Sequence, residues 1–437
     1  MISAKRTRPD ERRRRRAITR LEKLLRRRSV RNLRSLAAQR GIRLWIVGGS
    51  LRDTLDGRAP AELDVAVSHD CAGLVAAMEA AGAGTVVPLS DASPRVFRIA
   101  GADEIDCAEI EGGSIESDMA RRDFTVNAMA FDPESRIWID PYDGAADLAR
   151  RRLRLVSAAN LSDDPLRALR VARFVATHGL RPDAEALRVI RDVAPRLREV
   201  APERIRVELL KTLQAAKVQR SLEVLLRTGL LEPALRRAVV AGMPGSLLRR
   251  FDAPAIGRLP PEDRGRLRLA MLAVALHLSP ADAASWLADL RFSRADCADV
   301  AALMTLADGI RHLRTSRESW GWVRDAGSRR ALALQLFALL HPAQARRAKS
   351  LGRLRPRRRR RFAVSGRDIL AWLGIPPGPR VGQLLRELEI EELRGDIRSR
   401  AAARRWLLQQ QKKDFPALST ASPAPYLTRS KAFVDER

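Results

Sequence analysis

Two carboxylates, Glu62 and Asp64, flank Leu63 where the run LDVAV begins. In a strand, successive side chains alternate between faces, so Glu62 and Asp64 point the same way and share a small space. Like charges this close are unfavourable without a cation, and hard oxygen ligands suit Mg2+ held jointly with substrate phosphates. A pair of such ions activates an attacking hydroxyl and stabilises a pyrophosphate leaving group during in-line displacement. Glu62 and Asp64 are therefore the expected metal ligands, with two Mg2+ ions as cofactor, and Asp106 in EIDCAEI is the candidate third catalytic carboxylate from an adjacent strand. Upstream, LWIVGGSLRDTL sets Gly48, Gly49 and Ser50 between a buried strand and a helix. Glycine lets backbone N–H groups approach a ligand, and the helix N-terminus adds potential favourable to phosphate, so a triphosphate fits here. Arg52, one turn into the helix, reaches toward phosphate oxygens, and Asp53 orients the helix through local hydrogen bonds. Either motif alone reads as an ordinary turn or strand edge; their adjacency is what points to chemistry.

Two further segments offer ligands. RRDFTVNAMAFDP begins at Arg121 with two cations and a carboxylate before a strand. Arg121 or Arg122 suits phosphate, Asp123 suits a ribose 2′-OH, and Asn127 joins them as a nucleotide contact; a surface salt-bridge cluster is the other reading. In SDDPLRALRVARF, Pro165 fits a first helical turn with Asp163 or Asp164 near the cap, and Arg167 and Arg170 lie a turn apart on one face. Capping explains the acid. Asp164 with Arg167 also reads a base: the carboxylate accepts from the exocyclic amine of cytosine or adenine, and the guanidinium donates to ring acceptors beside it. Uracil and guanine present the reverse polarity and leave charged groups badly paired.

These residues need a scaffold, and the chain supplies one in its first half. Between Arg43 and Asp140, β-rich runs (LWIV, LDVAV, RVFRI, EIDCAEI, NAMAF, RIWID) alternate with short helical ones, a small α/β head. After Asp164, Leu, Ala and Arg recur at helical spacing and strand signals fade. The spacing predicts an arginine-rich arm over 1–40, solvated or an exposed helix, either a solubilising tail or an RNA contact. A head over 41–155, a helical neck over 156–235, a helical body over 236–355, a helical tail module over 356–410 and a disordered end over 411–437 follow. The 437 residues carry 81 Lys plus Arg against 52 Asp plus Glu, a net +29 that draws polyanions, nucleic acid first. The longest apolar stretch, LRLAMLAVALHL, falls short of the roughly 20 residues of a bilayer span, so a membrane partner is not expected. The basic N-terminus lacks the apolar segment of a secretory signal, which implies a cytoplasmic protein. Cys71, Cys107 and Cys297 lie far apart in sequence, so neither a disulfide framework nor zinc is expected.

In order, VGGSLRD, ELD, RRDFTVNAMAFDP, IDPYDGAADL, DDPLRALRVARF and PERIRVELL resemble the bacterial tRNA nucleotidyltransferase and poly(A) polymerase family in its class II form. The resemblance covers about residues 41 to 215 and resumes at VSGRDILAWLGIPPGPRVGQLLREL, which looks like the C-terminal module of the tRNA-modifying branch. It implies an α+β chain: a polymerase-β-like nucleotidyltransferase head followed by all-α neck, body and tail. It implies transfer of C, A or both from CTP and ATP to the tRNA 3′ end, with a partial CC- or A-adding form left open and with polyadenylation or a catalytically decayed RNA-binding protein as alternatives. It also assigns Asp164 and Arg167 to base selection. The chain departs from the family in four places. Glu62 stands where Asp is usual, Asp163 where Glu is, and Asp143 where glycine is common. The stretch from Asp106 to Arg121 is short for the flexible loop that the family uses in switching from C to A. His277 is followed by Leu278, so no HD phosphohydrolase site is expected.

Overall fold

A computed structural model describes residues 8–60, 62–90, 95–238, 243–356 and 364–414. The expected basic interruption up to Phe362 and the expected disordered end fall largely outside these. Seven strands form the head sheet: β1 (Leu44–Val47), β2 (Leu63–Val67), β3 (Thr85–Ser90), β4 (Val96–Ala100), β5 (Ile105–Glu109), β6 (Ala130–Phe131) and β7 (Trp138–Ile139). Their order is β3-β4-β5-β2-β1-β6-β7. Within this sheet, among the described residues, the β2–β5 pair is parallel and the other pairings are antiparallel. The apolar β1 is buried along its whole length, as a central strand must be. β5 alternates: Ile105 and Cys107 face the core while Asp106 and Ala108 face the open side. Strand β3, TVVPLS, was not among the expected runs; its proline and half-exposed edge position hide the alternation. NAMAF and RIWID shrink to two paired residues each, because Thr125–Asn127 is taken by a 3-10 turn.

The arginine-rich N-terminus is not a solvated arm where it is described. Helices Arg8–Leu25 and Arg28–Gln39 bury Leu21 and Leu33 completely, and the first packs on the head helix Gly48–Leu55, with Arg20 donating to the Thr54 carbonyl at 3.2 Å. Charge density along the sequence masks an apolar stripe at helical spacing. On the core side of the sheet, helix Cys71–Ala80 brings Cys71 Sγ to 3.3 Å from Cys107 Sγ. The two thiols, remote in sequence, are neighbours, and both are free and buried.

Helix Leu166–His178 follows the head, ends on Gly179 in the left-handed region, and packs against Pro202–Leu213 and Gln219–Arg227. LRLAMLAVALHL falls mainly in helix Pro261–Ala275 and is mostly buried. Among the described residues no single helix is long and apolar enough to cross a membrane. The chain divides into two compact units, residues 1–301 and 302–437. The second is helical throughout its described part, and its C-terminal helices enclose a core of Ile369, Leu373, Leu384, Leu388, Ile397, Ala403 and Leu407.

Candidate active site

Parallel pairing of β2 with β5 sets Asp64 opposite Asp106, and antiparallel pairing of β4 with β5 sets Arg98 opposite Asp106. Three neighbouring strands thus line up Asp64, Asp106 and Arg98 across the open face of the sheet. Glu62 precedes β2 rather than opening it, yet its side chain reaches the same place. Glu62, Asp64 and Asp106 each offer a carboxylate oxygen within 4.8 Å of the others. Burial pushes the Asp64 carboxyl up; the Ser50 N–H and Arg122 act against this, while the charges of Glu62 and Asp106 add to it. Three hard oxygen donors, one of them destabilised as an anion, fit a divalent cation.

The glycine turn lies directly against this cluster. A Cβ on Gly49 would come within 2.8 Å of Asp64 Oδ2, and one on Gly48, at φ +59, within 2.7 Å of Arg122 Nη1. Side chains at either position would push apart the carboxylate and the guanidinium that meet there. Ser50 departs from its expected role. It is fully buried, its N–H donates to Asp64 Oδ2 at 2.9 Å, and its hydroxyl accepts from the Asp64 N–H at 2.6 Å. Ser50 therefore positions the carboxylate and has no open face for phosphate. Arg52 is also buried, donating to Asn127 Oδ1 at 2.7 Å and lying beside Asp53 Oδ1 and His178 Nε2, yet it still lines the cleft.

That cleft, about 460 Å3, joins the carboxylates to Gly48, Gly49, Arg52, Arg121, Arg122, Asp123, Asn127, Arg167 and Arg170. Arg121 and Arg122 hold Asp118 from two sides, at 2.5 and 2.9 Å. Burial alone would raise the Asp118 carboxyl, but Arg122 and Arg121 outweigh it and keep it below its usual range. Asp123 is an internal strut: its Oδ1 accepts from Asn127 and the Phe124 N–H, and Arg170 Nη1 stands 2.8 Å from Oδ2. The carboxylate expected to meet a ribose hydroxyl is thus 2% exposed and already engaged. Asp164 and Arg167 are less tightly paired than the base-reading argument assumed. Arg167 Nε is 3.8 Å from Asp164 Oδ2, which Arg204 Nη2 approaches to 2.9 Å, while Arg167 Nη1 donates to the Arg121 carbonyl at 2.5 Å. Asp164 also accepts from the Leu166 N–H at 3.3 Å, at the start of helix Leu166–His178.

Residues 44–154 match the family described as "Poly A polymerase head domain", and residues 179–238 match "Probable RNA and SrmB- binding site of polymerase A". The CC-adding tRNA nucleotidyltransferase of Geobacter sulfurreducens is 31% identical over 411 residues, 85% of this chain and 93% of that protein. The A-adding tRNA nucleotidyltransferase of Deinococcus radiodurans is 31% identical over 427 residues, 83% of this chain and 95% of that protein. The chain belongs to the tRNA nucleotidyltransferase and poly(A) polymerase family. It is a nucleotidyltransferase enzyme with an acidic triad able to hold a metal. The solved structure of the Bacillus stearothermophilus CCA-adding enzyme in complex with CTP shares its fold, with a TM-score of 0.67 over 88% of this chain and 97% of that one, at 24% identity.

In this nucleotidyltransferase, Asp143 adopts φ +58, a left-handed conformation that Asp tolerates better than most residues. Sequence reasoning missed several cleft residues. Arg173, Glu208 and Lys211 line the cleft from the neck, with Arg173 Nε 2.8 Å from Glu208. Asp118 had a local signal in its spacing of three and four residues before Arg121 and Arg122. Arg98 had no such signal, since only the strand register brings it to the triad.

Proposed function

We propose that this enzyme adds C, A or both to the 3′ end of tRNA, using CTP and ATP and releasing pyrophosphate, in the cytoplasm. The observation that carries this reading is one cleft joining a three-carboxylate cluster, a glycine turn and Arg167. Two Mg2+ ions held by Glu62, Asp64 and Asp106 would supply Lewis acidity at the attacking 3′-hydroxyl and at the leaving group. The chain's own residues do the rest by alignment and charge. Gly48 and Gly49 admit the triphosphate close to the sheet, and Arg52, Arg121, Arg122 and Arg170 set positive potential around it. Ser50 holds Asp64 in place, and Arg167, with Asp164 once Arg204 yields it, selects the base. The link between β5 and helix Ile115–Ala120 is only residues 110–114, which supports a partial activity, CC or A, over synthesis of all three nucleotides.

The test offers the purified chain tRNAs ending before the first C, after C and after CC, beside an unstructured RNA, with each labelled nucleotide and Mg2+. One or more of the tRNA ends should be extended with C, with A or with both in turn, C or A alone marking a partial activity. Long adenylate tails on the unstructured RNA would instead name a poly(A) polymerase, and no transfer to any RNA would end the enzymatic reading. Asp64→Ala should lower transfer by at least about 100-fold while tRNA retention on a filter stays within about twofold, since phosphate contacts elsewhere hold the RNA.

A further inference from the structure

The carboxylate cluster already contains a cation. Arg98 grips Asp106 with two parallel bonds, Nε to Oδ1 and Nη2 to Oδ2, both 2.7 Å, and its Nη2 also lies 2.5 Å from Glu62 Oε2. Glu104 approaches from the solvent side at 3.4 Å and is more than half exposed. This two-pronged geometry is the strong form of the guanidinium–carboxylate pair. Asp64 stands apart from it, its partners being Ser50 and, through charge, Arg122. We infer that Arg98 is a positioning residue that stands in for one of the two metal ions, so that without nucleotide the triad holds a single divalent cation centred on Asp64. The charges agree. Three carboxylates less one guanidinium leave a formal charge of −2, which one divalent ion balances, whereas a second would have to displace Arg98 or bring its own phosphate oxygens. This rests on the reading of Glu62, Asp64 and Asp106 as metal ligands.

The test counts Mn2+ bound to the full chain by electron paramagnetic resonance of the free ion, without nucleotide, in wild type, Arg98→Gln, Arg98→Lys and Asp64→Asn, each checked for folding by circular dichroism. Wild type should bind one ion that Asp64→Asn loses. Arg98→Gln should bind two, and Arg98→Lys, which keeps the charge but not the fork, should return to one. Two ions in wild type would overturn the inference whatever the variants do, as would an unchanged count and affinity in a folded Arg98→Gln. Should Arg98→Gln fail to fold, the wild-type count and a second ion in Arg98→Lys, which would also overturn it, still decide. Equal binding in wild type and Asp64→Asn would instead remove the triad as the metal site, a failure of the underlying reading and not of the role of Arg98 alone.

Discussion

Arg52 and Asp53 face the cleft on one side and His178 on the other, so a neck residue sits behind the glycine turn. His178 Nε2 lies 2.9 Å from Asp53 Oδ1 and 3.1 Å from Arg52 Nε, and its Nδ1 lies 2.7 Å from Thr177 Oγ1. Burial lowers the basicity of His178; the bond to Asp53 opposes this, and the charges of Arg52 and Arg58 reinforce it. The sign follows. The unfolded chain takes up the proton near pH 6.5 while the folded one resists it, so the contribution of His178 to stability is complete above that pH and is lost as pH falls through the lower folded value. Urea midpoints at pH 8 and pH 5 should therefore drop further for wild type than for His178→Gln, which cannot titrate. An equal drop in both would show that this imidazole is not held neutral.

Helix Pro202–Leu213 presents Glu208 and Lys211 to the cleft, and its far end needs an anchor because the last carbonyls of a helix have no partners within it. Arg268, fully buried in helix Pro261–Ala275, provides one. It donates to the carbonyls of Leu213 at 2.7 Å, Ala215 at 2.5 Å, Ala216 at 3.1 Å and Phe251 at 2.9 Å, with Asp252 3.7 Å away. Burial lowers its pKa to about 10 even though Asp252 opposes the shift. Arg268→Met keeps much of the volume and strips those carbonyls of their donors, so it should cost about 3 kcal/mol or more in chemical denaturation. A loss below about 1 kcal/mol would mean that water replaces the guanidinium there. Within the sheet, the alternation of β5 was legible because it repeats every second residue along one strand, so Asp106 could be named a candidate. Its pairing with Asp64 could not, since that depends on β5 lying between β4 and β2.

For the whole molecule, +29 of net charge makes the affinity for tRNA a matter of released counterions. Binding measured by filter retention should weaken by at least about 100-fold between 50 and 200 mM salt, as expected for several phosphate contacts, and a flat salt response would refute an electrostatic RNA surface. The types and order of the chemical residues were properties of the linear chain: an acid pair after a glycine turn, arginines before a strand, an acid and an arginine one helical turn apart. Chemistry at that range is encoded locally, in alternation and helical spacing, and so could be read without coordinates. What folding alone decided lies between distant segments. Strand register placed Arg98 among the carboxylates, packing buried Ser50 and engaged Asp123, and the approach of two neck helices gave Asp164 to Arg204, 40 residues along. These contacts follow from which elements become neighbours, and no periodicity within any one element carries that information.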